Sequence, residues 1–143
     1  MKNRWVRMSM FSLAAVILAA ACSGGEDDVA SGMTIQSGSG GNGLTVTLAN
    51  SDGLIRRGSQ NFTLTFSDAS GKPVDVGAAA VTFHMPATGT MPAMNSTATL
   101  VTTATPGIYR GTVDLTMAGA WQARIVYEGA AGSGEATLPI AAQ

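Results

Sequence analysis

Charge, aromatic rings, cysteine and histidine are all scarce in this 143-residue chain. Charged residues make up 12% and aromatics 6%, with one Cys and one His. A single Cys admits no internal disulfide, no Cys-rich zinc site and no Cys-x-x-Cys redox pair. A single His excludes any site that needs two imidazoles from one chain. Eight basic against nine acidic residues leave no basic excess, so no nucleic-acid partner is expected. No phosphate-binding loop, nucleophile elbow or paired-carboxylate signature is present, and the chain is not expected to be an enzyme. No stretch holds a 3.6-residue apolar period, which argues against long amphipathic helices. The length suits one domain.

What is present begins with an export leader. Lys2, Arg4 and Arg7 precede an apolar run from Met10 to Ala21, broken only by Ser12. The run is too short to span a bilayer, and small residues close it, so residues 1–21 read as a signal peptide. Leu18-Ala19-Ala20-Ala21-Cys22-Ser23 resembles a bacterial lipoprotein signal. That resemblance implies a diacylglyceryl group on the Cys22 thiol, with Cys22 as the mature N-terminus. Ala19 stands where the family prefers Leu, and ordinary cleavage after Ala-x-Ala is the alternative. Several acyl chains hold a protein firmly on a membrane, whereas one binds marginally. The expected location is the bacterial cell envelope, periplasm-facing or at the outer membrane.

Removal of the leader takes away three basic residues and leaves Arg56, Arg57, Lys72, Arg110 and Arg124 against nine acidic ones, a net of −4. Residues 22–43 carry the lipidated Cys and a Ser/Gly-rich, acidic stretch that offers too little apolar surface to offset its ordering entropy. They are expected to form a flexible tether. From Leu44 onward apolar residues alternate with Thr, Arg or other polar residues. The period-two segments are Leu44–Leu48, Phe62–Phe66, Val81–Met85, Ala98–Thr102, Tyr109–Leu115, Trp121–Tyr127 and Ala136–Ile140, separated by Gly, Asp, Asn and Pro turns. About seven short strands predict an all-β, immunoglobulin-like antiparallel β-sandwich over residues 44–143.

One segment could carry chemistry. Phe83-His84-Met85-Pro86-Ala-Thr-Gly-Thr-Met91-Pro92-Ala-Met94-Asn-Ser holds three thioethers and the only imidazole within eleven residues. Each Met-Pro favours extended geometry and removes a ladder donor, so a strand is expected to end here and run into a loop. Thioethers are soft ligands that favour Cu(I), and imidazole suits copper as well. The bland reading is that methionines fill gaps in a core. Met85 shares strand parity with Val81 and Phe83, which points it inward and His84 outward.

The run from Val81 to Tyr127 resembles the YtkA-like domain, a relative of the FixH-type proteins. The resemblance lies in Met85-Pro-Ala-Thr-Gly-Thr-Met91, then Pro106-Gly-Ile-Tyr109, then Met117-Ala-Gly-Ala-Trp121. Thr88 and Thr90 stand where Met-rich members often carry Met. Pro-Gly-x-Tyr and Ala-Gly-x-Trp are framework motifs. Met-rich members look like envelope copper-handling or oxidase-assembly factors. The resemblance therefore implies copper(I) as the bound ion, Met85, Met91 and Met94 as ligands, and His84 or Met117 completing the set. The expected partners are the membrane, through the lipid, and an envelope complex of metal efflux or oxidase assembly. The competing expectation is an accessory protein-binding sandwich whose methionines merely pack.

Overall fold

The computed structural model describes residues 32–143. The expected leader, Cys22 and the acidic part of the expected tether lie outside those residues. Nine strands follow in chain order: β1 (Met33–Gly41), β2 (Leu44–Asn50), β3 (Gly58–Ser67), β4 (Ala78–Met85), β5 (Met94–Thr97), β6 (Thr99–Thr102), β7 (Ile108–Leu115), β8 (Gly119–Gly129) and β9 (Gly132–Ala142). One sheet has the order β1-β2-β3-β7-β6 and the other β5-β4-β8-β9, with every neighbouring pair antiparallel. Without β1, this is the immunoglobulin Greek-key order, A-B-E-D against C′-C-F-G.

Period-two patterning translates directly into the core. Val46, Leu48, Leu64, Phe66, Val113 and Leu115 face inward from the first sheet, and Val81, Phe83, Trp121, Ala123 and Ile125 from the second. Edge-on aromatic contacts cross between the sheets, Phe62 to Phe83 at 5.9 Å and Phe66 to Tyr127 at 5.2 Å between centroids. The aspartates expected in turns do cap backbone there. Asp68 Oδ1 accepts from Ser70 N at 2.9 Å and Asp75 Oδ1 from Gly77 N at 2.9 Å.

Two features differ from the sequence expectation. The segment Ala98–Thr102 is half of a strand that switches sheets. Residues 94–97 pair with β4, Ala98 N donates to Val81 O at 2.9 Å, and residues 99–102 pair with β7. More consequentially, residues 33–41 belong to the domain and not to a tether. They form β1, in register with β2 from Met33↔Asn50 to Gly41↔Leu44. The glycines that suggested flexibility permit close packing of β1 against β9. A methyl group at Gly38 would come within 2.6 Å of Leu138 Cδ2. Tyr127 Oη donates to Gly40 O at 2.9 Å, and Gln36 Nε2 donates to Pro139 O at 3.2 Å. Among the described residues, the sandwich thus starts at Met33.

The strand directions define two ends. At one lie the first described residues, the loops 51–57, 86–93 and 116–118, and Ala142, which bridges to Ile55. At the other lie the turns 42–43 and 130–131 and the longer connections 68–77 and 103–107.

Candidate functional site

The end that carries loops 86–93 and 116–118 holds all the methionines singled out above. Met85 is the last residue of β4 and Met94 the first of β5, and they are direct cross-strand partners. Partners opposite one another project to the same face. Met85 continues the inward set of Val81 and Phe83 and is 9% exposed, so Met94 is directed inward beside it, packed on the core and half-buried.

The segment 116–119 closes over this pair. Thr116 Oγ1 donates to Met94 Sδ at 3.6 Å. Gly119 has φ +140, and a Cβ there would lie 3.0 Å from Met85 Cε. Between them, Met117 packs half-buried against the same core, and its carbonyl accepts from Trp121 Nε1 at 3.0 Å. A buried indole therefore anchors the short segment that covers two thioethers and supplies a third. Met85 and Met94 are brought side by side, and Met117 lies in the segment whose Thr116 and Gly119 touch them.

Met91 adjoins this group but points elsewhere. Thr88 and Met91 exchange two backbone hydrogen bonds, at 3.1 and 2.9 Å, around Gly89 at φ +57. This tight turn projects Met91 from the end of the sandwich, 44% exposed. His84 is not part of the cluster, because strand alternation sets it on the opposite face of the sheet from Met85. There its Nδ1 lies 2.7 Å from Asn95 Oδ1, its cross-strand partner. Thr82, Gln122, Arg124 and Thr137 complete a shallow depression of about 350 Å³ around it. Arg124 is engaged in two 2.8 Å hydrogen bonds with Glu135, which hold the Glu135 carboxyl below its ordinary range.

No three His, Cys, Asp or Glu side chains gather among the described residues. The side chains that share the methionine end are neutral thioethers, which as ligands suit soft ions and not hard ones.

Residues 39–126 match the family model described as YtkA-like. The chain belongs to the YtkA-like family. No curated protein and no solved structure matches it. The YtkA-like match begins inside β1 and ends inside β8, so it spans the methionine loop and both framework motifs.

Those motifs have separate jobs in the YtkA-like fold. In Pro106-Gly107-Ile108-Tyr109, Gly107 has φ +89, and any Cβ would overlap the Val74 backbone. Its carbonyl accepts from Phe66 N at 2.9 Å, and Tyr109 Oη donates to Gly77 O at 2.6 Å. This motif ties the connection 68–77 onto the sandwich, at the end far from the methionines. Met117-Ala-Gly119-Ala-Trp121 is framework and site together, since Gly119 makes room for the Met85 methyl. Thr116 and Asn95 were not anticipated as contributors. Their signal was position alone, Thr116 next to Met117 and Asn95 next to Met94.

Proposed function

We propose that this YtkA-like chain is an exported lipoprotein, anchored through Cys22, that handles copper(I) at the methionine end of its sandwich. The observation that supports the metal reading is the cross-strand pair Met85–Met94, two uncharged soft donors side by side, in contact with the Thr116–Gly119 segment that also carries Met117. Met85, Met94 and Met117 would hold the ion. Exposed Met91, three residues from Met94, would receive it from or pass it to an envelope partner, an efflux or oxidase-assembly complex by family resemblance. Thioethers need no deprotonation to bind and are not consumed as thiols are in an oxidising compartment. His84, on the outer face, is left out of this set. The supports are the donor chemistry, the family membership and the lipoprotein-like signal around Cys22.

A second reading has its own observation. Met85 is buried, and Met94 and Met117 rest on the core, as gap-filling methionines do. On that reading the domain is an accessory protein-binding sandwich without metal.

Competition separates the two. The full-length protein, kept reduced at fixed pH, is titrated against a chromogenic Cu(I) chelator, alongside a Met91→Leu/Met94→Leu variant and a Met33→Leu control. Leu conserves volume, so the fold is retained. The wild type and the control should withdraw Cu(I) from the chelator, and the double variant should lose most of that capacity. Equal binding by the wild type and the double variant would sink the copper reading.

A further inference from the structure

The methionine end carries more exposed apolar surface than its donors account for. Among the described residues, the exposed large hydrophobics are Met33 at 62%, Val101 at 55%, Met91 at 44%, Leu54 at 38% and Val126 at 37%. Val101 and Val126 lie singly on the strands of side faces. Met33, Leu54 and Met91 all lie at the methionine end, spread across its width: Met33 opens β1, Leu54 sits in the loop after β2, and Met91 tips the β4–β5 turn. The same end is where the chain enters the domain.

We propose that this end is the membrane-facing end, seated on the bilayer that holds the Cys22 acyl chains. The proposal rests on the lipoprotein reading above and adds an orientation to it. Only nine residues, ten Cα–Cα steps, separate Cys22 from Gly32. Such a stretch spans about 35 Å when fully extended, and roughly 17 Å on average as a flexible chain. The sandwich is itself about 35 Å long, since β8 and β9 have eleven residues each at about 3.3 Å per residue. The far end could meet the bilayer only if the connection ran fully stretched along the whole domain. With the methionine end down, the distance to be covered is well within that length.

Charge favours the same orientation. The far end carries Asp68, Asp75 and Glu128 against Lys72, a net of −2. Among the described residues, the methionine end carries Asp52 and Asp114 against Arg56 and Arg57, with Arg56 paired to Asp52 at 2.6 Å, a net of zero; Glu26, Asp27 and Asp28 lie between Cys22 and the domain in either orientation. An anionic leaflet therefore repels the far end and leaves the methionine end to its apolar contacts. In this orientation Met91 sits at the lipid surface, so an ion bound there would exchange with a membrane-embedded partner.

The test uses metal-free, full-length protein, acylated in a bacterial host and reconstituted into phosphatidylethanolamine/phosphatidylglycerol vesicles. Acylation blocks Cys22, so a single introduced cysteine can carry an environment-sensitive fluorophore. Met33→Cys, Leu54→Cys and Met91→Cys report on the methionine end, and Ser70→Cys and Ala130→Cys on the far end. The first three should shift to the blue on vesicles and be quenched by iodide several-fold less than the last two. If the protein is acylated and floats with the vesicles, yet all five positions quench alike, the orientation is wrong and the anchor stands. If mass analysis finds no acyl group on Cys22, the anchor reading fails and the orientation falls with it.

Discussion

Removing one hydroxyl, in Tyr127→Phe, tests whether β1 is part of the domain. Tyr127 Oη donates to Gly40 O at 2.9 Å and accepts from Asn42 Nδ2 at 3.1 Å. Gly40 is buried and falls in the register break between Ser39 and Gly41, where it has no ladder partner on β2. The Phe ring would keep its core position, edge-on to Phe66, so the loss is confined to the polar contacts. An unsatisfied buried carbonyl costs about 1–3 kcal/mol. For a domain of this size that corresponds to a fall in melting temperature of roughly 4–12 °C. Thermal and urea unfolding of the full chain would measure it. Hydrogen exchange should show protected amides in residues 34–41 of the wild type, with protection lost there first in the variant. Unprotected amides in that segment of the wild type, with no change in melting temperature on substitution, would return residues 33–41 to the tether and refute the reasoning.

Two further perturbations probe the framework. Gly107→Ala should destabilise by more than about 2 kcal/mol, because left-handed strain of about 1–2 kcal/mol adds to a clash with the Val74 backbone. Gly43→Ala, at φ +73 with open space around it, should cost only the strain, so the difference in urea midpoints isolates the clash. Burial, and then the nearby Asp75 carboxylate, raise the Tyr109 phenol above its ordinary value of 10. The folded state thus keeps that proton longer than the unfolded chain does. Its contribution is fully present below pH 10 and lost as pH rises through the raised folded value. Urea midpoints should fall on the alkaline side in the wild type, and Tyr109→Phe should flatten that slope.

Much of the sandwich was legible in the sequence because strand faces impose strict alternation. Leu44–Leu48, Phe62–Phe66, Tyr109–Leu115 and Trp121–Tyr127 each fall inside an observed strand, and Met85 in and His84 out follows from the same parity. β1 was missed for a physical reason. Ser37 to Gly43 is small and polar, a composition that reads as solvated chain, and its glycines serve a partner 90 to 100 residues away. The sheet switch at Ala98 was equally invisible, since residues 94–97 carry no apolar alternation and read as loop, while their pairing with β4 is set by residues nine or more positions away.

The sequence alone determined which residues are chemically suited to a soft ion, which face each strand side chain takes, and the family of the domain. Those properties are local, set by side-chain type and by two-residue periodicity along one strand. Only the tertiary structure decided which methionine-bearing segments adjoin. Met117 lies 32 residues beyond Met85 in the chain, yet the Trp121 anchor and the space at Gly119 bring its segment over the Met85–Met94 pair. His84, adjacent to Met85 in sequence, is separated from that pair by the sheet itself. Likewise, only antiparallel pairing of β1 with β2 set the chain entry, the exposed methionines and the apolar loop at the same end of the sandwich.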